Sequence, residues 1–236
     1  ACQQIVNRVF TKNKLPDGIS SIITGNYSVG EWMTTDKRIA LISATGSTRM
    51  GKQVGMKVAE RFRKSILELG GNNAIIISHT ADLKLVLPAI IFGAIGTAGQ
   101  RCTTTRRLII HESIYDEVKE VLKKAYSQLN IGNPLDEKNH IGPLIDAKAV
   151  EAFLYAMRQV KKQGGKIFVP GKKLEGKSYN SGCYVSPCIA EVENHYDIVQ
   201  HETFAPILYI MKYKTMEEAI AMQNDVPQGL SSSIMT

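Results

Sequence analysis

The alternation of strand-like and helix-like segments is the feature that most constrains how this chain can fold. Short apolar runs such as residues 39–43 and 74–78 are each followed by a stretch with helical periodicity. A helix between two strands carries the chain back along the sheet, so the next strand can pair in parallel with the first. The sequence therefore predicts an α/β fold built from βαβ units around a parallel sheet.

The same patterns place the individual elements. Predicted strands are residues 19–24, 39–43, 64–69, 74–78, 107–111, 166–169 and 230–236. Predicted helices are residues 3–10, 29–34 and 83–98, and the stretches that begin after Thr48, Ser113, Asp146 and Thr215. Helix 83–98 is apolar nearly all round, so we expect it to be buried. Two domains are expected, residues 1–70 and 71–236, because the pair Gly70-Gly71 makes a flexible joint.

Composition and charge exclude several classes of function. No run approaches the ~18 apolar residues of a membrane span, so no membrane partner is expected. The net charge is +7, but the lysines and arginines are scattered without interleaved aromatic residues, which argues against a nucleic-acid partner. Neither a C-x-x-C motif nor a histidine pair at zinc spacing is present, so no metal is expected. The chain opens inside a predicted helix, which favours a partial sequence.

The cysteines predict free thiols in a reducing compartment, either the cytoplasm or the mitochondrial matrix. They are Cys2, Cys102, Cys183 and Cys188. Cys102 lies among small residues just after the apolar helix, where a scaffold would fix the loop while the sulfur stays reachable. Such a thiol is a candidate nucleophile. A lone cysteine is also a common core residue, and no histidine marks a cysteine-protease pair, so both interpretations stay open here.

Glu68 ends a strand-like run and precedes two glycines, where it could accept a proton from a thiol or from a water. Its apolar neighbours predict partial burial, and a surface carboxylate is the alternative.

Gly46 and Ser47 lie between a predicted strand and a predicted helix. The free N–H groups at a helix start can bind a phosphate, although Ser47 could equally cap its helix. This turn is neither G-x-G-x-x-G nor a P-loop.

The motifs taken together resemble the aldehyde dehydrogenase superfamily along essentially the whole chain. They are Thr45-Gly46-Ser47-Thr48, Glu68-Leu69-Gly70-Gly71, Gly99-Gln100-Arg101-Cys102 and Glu202-Thr203-Phe204-Ala205-Pro206. Asn72-Asn73 and Arg101-Cys102-Thr103-Thr104 are similar to the antiquitin branch, whose members oxidise α-aminoadipic semialdehyde in lysine catabolism. The resemblance implies the C-terminal part of a Rossmann-type NAD-binding domain followed by an α/β catalytic domain. It also implies a longer enzyme that forms a homo-oligomer, a dimer or a tetramer.

The resemblance also implies a role for each site residue. Cys102 would attack the aldehyde to form a thiohemiacetal, and Glu68 would activate the water that hydrolyses the resulting thioester. Arg101 and Thr103 would line the end of the substrate tunnel. The residues that would hold NAD are Gly25, Gly46, Ser47, Leu69, Glu202 and Phe204. A succinic or other ω-semialdehyde dehydrogenase and a non-catalytic truncated scaffold remain as alternatives, and the sequence does not decide between NAD and NADP.

Overall fold

The computed structural model describes residues 1–236 and divides them into two units, Ala1–Leu69 and Gly70–Thr236. This division lies one residue from the predicted boundary. The domain roles that the resemblance implies remain predictions. None of the helices combines the length and the apolar character that crossing a bilayer requires.

The first unit contains one βαβ unit. Its elements are α1 (Cys2–Lys12), α2 (Tyr27–Thr35), β1 (Leu41–Thr45), α3 (Thr48–Glu60) and β2 (Lys64–Glu68). Strands β1 and β2 pair in parallel across the α3 crossover, with Thr45 opposite Glu68. The predicted order of strand, Gly-Ser-Thr turn, helix and strand is therefore confirmed.

Two predictions in the first unit are wrong. Residues 19–24 form no strand, because no neighbouring strand pairs with them, and Ile22 and Ile23 remain 67% and 70% exposed. The spacing of four residues also predicts that Met50, Val54, Val58 and Phe62 share one side of the helix after Thr48, yet Phe62 is 97% exposed. Helix α3 ends at Glu60, and Phe62 adopts a left-handed backbone with φ of 53°, which takes its side chain off the helix face.

The second unit is built on a six-stranded sheet in the order β5-β6-β7-β4-β3-β8, in which only the β5–β6 pair is antiparallel. Its strands are β3 (Asn73–Ile77), β4 (Thr105–His111), β5 (Lys166–Val169), β6 (Cys188–Glu191), β7 (Ile207–Tyr213) and β8 (Ser232–Met235). Its helices are α4 (Leu83–Ile95), α5 (Tyr115–Ser127), α6 (Ala147–Lys162), α7 (Asp197–Gln200) and α8 (Met216–Asn224). The central strands β3, β4 and β7 are almost fully buried, as expected for a parallel sheet covered on both faces.

The sequence patterns missed part of this unit. Strands β6 and β7 and helix α7 were not predicted. The pattern also predicts Ser113 as the cap of the helix that follows it, and this is wrong, because helix α5 begins at Tyr115 and the Ser113 hydroxyl lies 2.8 Å from His111 Nδ1 instead. Helix α4 is also less buried than expected, since Leu85 and Phe92 are 74% and 64% exposed.

The topology brings three loop segments together. Because β3, β4 and β7 are parallel neighbours, their amino-terminal ends lie at one edge of the sheet. Residues 70–72 lead into β3, residues 96–104 lead into β4, and residues 201–206 lead into β7. Two of the predicted motifs and the glycine pair therefore meet at this edge.

Candidate active site

The loop that carries Cys102 begins with a sharp backbone reversal. Thr97, Ala98 and Gly99 follow one another in left-handed conformations, with φ of 55°, 54° and 70°. Left-handed backbone is uncommon for residues other than glycine and persists only where the surroundings enforce it. The reversal ends α4 at Ile95, which corrects the prediction of a helix to residue 98, and it turns the chain toward Cys102.

Asn73 anchors the Cys102 loop to the sheet. Its Nδ2 donates to the carbonyl oxygen of Cys102 at 2.7 Å and to that of Thr104 at 2.9 Å, while its Oδ1 accepts from Ser231 N at 3.1 Å. The Arg101 backbone N–H adds a bond to Thr104 Oγ1 at 3.1 Å. The Cys102 backbone is therefore fixed, while its half-buried thiol is free.

Arg106 is the buried centre of this edge, with only 2% of its side chain exposed. Nε donates to Gly71 O at 3.3 Å, and Nη1 donates to Gly99 O at 3.4 Å and to Thr203 O at 2.7 Å. Nη2 donates to Arg101 O at 3.2 Å and to Glu202 Oε1 at 3.3 Å. Burial lowers the pKa of the guanidinium, and the negative charge of Glu202 opposes that change. An arginine remains charged under such conditions, so Arg106 and Glu202 form a partly buried ion pair.

Two glycines make room for the Glu202 carboxylate and for the Cys102 loop. A Cβ at Gly71 would lie 2.5 Å from Cys102 O, and a Cβ at Gly70 would overlap Glu202 Oε2. The Gly71 N–H donates to Glu202 Oε1 at 3.1 Å. Oε1 therefore has two donors, whereas Oε2 lies against Gly70 and accepts no hydrogen bond from the protein.

Three further predicted residues lie around the same edge. The Arg101 guanidinium lies 4.9 Å from the Phe92 ring centroid and donates from Nε to Thr97 Oγ1 at 2.9 Å. Thr103 is exposed. Phe204 is 43% exposed, and Arg106 Cζ lies 5.4 Å from its ring centroid.

The remaining predicted residues belong to the first unit. Gly46 N donates to Glu68 O at 3.0 Å, which fixes the turn after β1. Leu69 packs where a Cβ at Gly51 would otherwise lie, and Gly25 lies against Val29 at the start of α2. Glu68 is exposed, which corrects the expectation of partial burial, because the β2 side chains in the two-stranded sheet are mostly exposed.

Ser47 caps α3 in the structure, since its Oγ accepts a hydrogen bond from Met50 N at 3.2 Å. We expect Ser47→Ala to lower the free energy of unfolding by about 1 kcal/mol, because one N–H in the first turn loses its acceptor. Ser47→Asn supplies a carbonyl acceptor and should recover most of the loss. Urea denaturation of the three proteins checks this, and equal stability of Ser47→Ala and wild type would contradict the capping role.

Sequence reasoning missed Asn73 and Arg106 as organisers of the site, and it missed Arg107 as a buried structural residue next to it. Arg107 is fully buried and donates to Asn72 O, Asn194 Oδ1, Met222 O and Gln223 O, which ties the last turn of α8 to Asn72. Burial lowers its pKa to about 10, opposed by the charge of Asp225. The available signal was two adjacent arginines directly before the apolar run Leu108–Ile110, since a buried cation requires several acceptors.

No group of three or more His, Cys, Asp or Glu side chains in residues 1–236 lies close enough together to hold a metal ion. The chemistry that the edge offers is that of a thiol near a partly buried carboxylate–guanidinium pair.

Comparisons with known proteins identify the family to which the chain belongs. The sequence matches the aldehyde dehydrogenase family over residues 1–236. It is 51% identical to alpha-aminoadipic semialdehyde dehydrogenase from Bos taurus, over 100% of this chain and 43% of that protein. It is 46% identical to a putative aldehyde dehydrogenase family 7 member A1 homolog from Dictyostelium discoideum, over 100% of this chain and 46% of that one. The chain thus spans about half the length of these relatives.

The fold also matches that of a solved aldehyde dehydrogenase structure. The chain superposes with a TM-score of 0.92 on a double mutant of betaine aldehyde dehydrogenase from Staphylococcus aureus in complex with NAD+. The two are 29% identical, and the match covers 98% of this chain and 47% of the other. The predicted fold class is confirmed.

Proposed function

Because the chain belongs to the aldehyde dehydrogenase family, we propose that its protein oxidises an aldehyde to a carboxylic acid with NAD through a covalent intermediate on Cys102. The observation that carries the proposal is the convergence of the Cys102 loop, the pair Gly70-Gly71 and Glu202 at one edge of the sheet. A thiol on an anchored loop, near a carboxylate with one oxygen free of protein donors, suits nucleophilic catalysis on a bound substrate.

Cys102 supplies the nucleophile and part of the oxyanion site. The thiol passes its proton to solvent water, the sulfur attacks the aldehyde carbon, and the new C–S bond converts the C=O double bond into the alkoxide of a thiohemiacetal. The Cys102 backbone N–H donates to no acceptor within the protein, so it is available to that oxygen. The anchoring of the loop through Asn73 keeps sulfur and N–H in a fixed relation.

The residues present fit a dinucleotide. The start of α3 offers free N–H groups beside Gly46 and Ser47 for the pyrophosphate. Glu202 Oε2, which has no donor in the protein, is available to a ribose hydroxyl, and Gly25, Leu69 and Phe204 complete the set by resemblance. When bound, NAD supplies the acceptor for the hydride that the thiohemiacetal loses in becoming a thioester.

Glu68 completes the reaction as the general base. Its exposed carboxylate would take a proton from the water that attacks the thioester carbon. The C–S bond then breaks, which releases the carboxylic acid and restores the Cys102 thiol.

We propose α-aminoadipic semialdehyde as the substrate, on the strength of 51% identity to a relative of that name. Arg101 lies next to Cys102 and is held by Thr97 and Phe92, so its guanidinium would pair with the carboxylate of the amino-acid head. Thr103 would line the same end of the tunnel. The runner-up is succinic or another ω-semialdehyde, and a higher kcat/KM for succinic semialdehyde would overturn our choice.

The same resemblance leads us to propose a homo-oligomer, a dimer or a tetramer, which sedimentation analysis of the purified protein would test. The four free cysteines support a reducing compartment, the cytoplasm or the mitochondrial matrix.

Thiol labelling tests the proposal, and Cys2 in the same molecule serves as the internal reference. We expect iodoacetamide to alkylate Cys102 at least about tenfold faster than the exposed Cys2, because an activated thiol reacts faster than an ordinary one. NAD should change the rate at Cys102 and leave the rate at Cys2 unaltered. Peptide mass spectrometry measures both rates in the same molecules. Equal rates that are indifferent to NAD would favour the non-catalytic scaffold.

A further inference from the structure

One guanidinium joins two parts of the site that the proposed function uses separately. Nη2 of Arg106 lies between Glu202 Oε1, at 3.3 Å, and the carbonyl oxygen of Arg101, at 3.2 Å. Glu202 is the proposed ribose ligand, and Arg101 immediately precedes the proposed nucleophile. We propose that Arg106 is the positioning residue that orients Glu202 and holds the Cys102 loop at once, and thereby couples dinucleotide binding to the state of the thiol.

The geometry links the contact of Arg106 with Glu202 to its contacts with the Cys102 loop. A guanidinium has five N–H donors in a rigid planar fork, and all five have acceptors here. The acceptors lie on all three loop segments of the edge, at Gly71, at Gly99 and Arg101, and at Thr203 and Glu202. A shift of the Glu202 carboxylate on binding a ribose therefore moves or strains bonds to the Cys102 loop.

Arg106 also sets which carboxylate oxygen faces a ligand. Together with the Gly71 N–H it saturates Glu202 Oε1, so Oε2 is left for the ribose hydroxyl. A lysine in the same place has one ammonium on a flexible stem and cannot reproduce the fork. It could keep the ion pair with Glu202, but not the bonds to Gly99, Arg101 and Thr203 at the same time.

The chain offers a matched control in the next residue. Arg107 is as deeply buried as Arg106 and likewise donates to several carbonyl oxygens, but its acceptors lie on Asn72, Asn194 and the last turn of α8. None of these groups belongs to the Cys102 loop or to Glu202. A loss that is merely structural should therefore follow from Arg107→Lys as well as from Arg106→Lys.

The experiment compares Arg106→Lys with Arg107→Lys in the purified protein. Calorimetric titration gives the Kd for NAD, and iodoacetamide labelling gives the Cys102 alkylation rate with and without saturating NAD. We expect both variants to melt at a lower temperature. Only Arg106→Lys should weaken NAD binding, by about tenfold or 1.4 kcal/mol, and only there should NAD lose its effect on the alkylation rate. Where Arg106→Lys does not fold, Arg106→Gln takes its place, because its neutral amide removes the ion pair and keeps two of the five N–H donors while Glu202 itself is unchanged.

The outcomes separate this inference from the proposed function on which it rests. A wild-type Kd and a wild-type NAD effect in Arg106→Lys, or in Arg106→Gln where that replaces it, would overturn the inference. Equal changes in the Kd for NAD and in the NAD effect in the Arg106 and Arg107 variants would also overturn it. A wild-type protein that neither binds NAD nor changes its Cys102 alkylation with NAD would refute the proposed function, and the inference with it.

Discussion

Replacing Cys102 by alanine is expected to lower kcat for aldehyde oxidation by at least ~10³-fold, because no other group can form the covalent intermediate. The thiol is half-buried on a loop whose backbone is fixed by Asn73, so removal of the sulfur should leave the surrounding bonds in place. Calorimetry should accordingly show NAD binding close to that of wild type. The measurement is steady-state formation of NADH with α-aminoadipic semialdehyde.

Cys188→Ala is the control for this prediction. Cys188 lies in β6 and is fully buried, and burial raises the pKa of its thiol to about 12. It therefore remains a protonated core residue at neutral pH and offers no nucleophile. We expect Cys188→Ala to lose some stability from the missing core volume and to keep its turnover. If Cys102→Ala retained more than about a tenth of wild-type kcat, covalent catalysis at this residue would be contradicted.

The sequence predicted the α/β class and the elements around the site because hydrophobic periodicity reports which faces are buried. Its failures have physical causes. Residues 19–24 are rich in β-branched side chains, yet a strand also needs a partner strand, and pairing cannot be deduced from one segment. The end of α4 was missed because Thr97 and Ala98 are ordinary residues in a left-handed turn that tertiary contacts impose.

In the candidate site too, some residues can be identified from the local sequence, whereas the roles of others depend on contacts with distant residues. Cys102 and Glu202 could be identified from residue type and motif, since the chemistry belongs to the side chain itself. The roles of Arg106 and Asn73 could not, because they depend on partners far along the chain. Arg106 donates to Thr203, 97 residues away, and Asn73 accepts from Ser231, 158 residues away. Only the sheet order places such groups next to each other.

Gly99→Ala is expected to be the most damaging small change near the site. Gly99 has φ of +70°, which strains any residue with a Cβ. That Cβ would also overlap the Ala205 carbonyl oxygen and lie 2.5 Å from the carbonyl carbon. Ala205 is 1% exposed and leads directly into β7, so its backbone has no room to retreat. We expect the free energy of unfolding to fall by about 3 kcal/mol, from backbone strain together with overpacking.

The effect on activity should exceed what the stability loss alone would cause. Gly99 lies on the loop that carries Cys102, and Ala205 lies on the segment that carries Glu202, so the collision pushes the two apart. A displacement of roughly 1 Å at a catalytic group costs on the order of 10²-fold in rate, which we expect in kcat/KM measured where the variant is still folded.

Gly182→Ala is the matched control, because it has nearly the same backbone, with φ of +66°, and no atom nearer to its Cβ than Lys173 Nζ at 3.7 Å. Its free energy of unfolding should fall by about 1 kcal/mol from backbone strain alone, because there is no collision. Its kcat/KM should be that of wild type. Urea denaturation measures the free energy of unfolding of the two variants, and steady-state kinetics measures their kcat/KM. Equal losses in both would mean that backbone strain alone governs Gly99. A larger loss in Gly99→Ala would show that the close approach of the Cys102 and Glu202 segments is what the glycine secures.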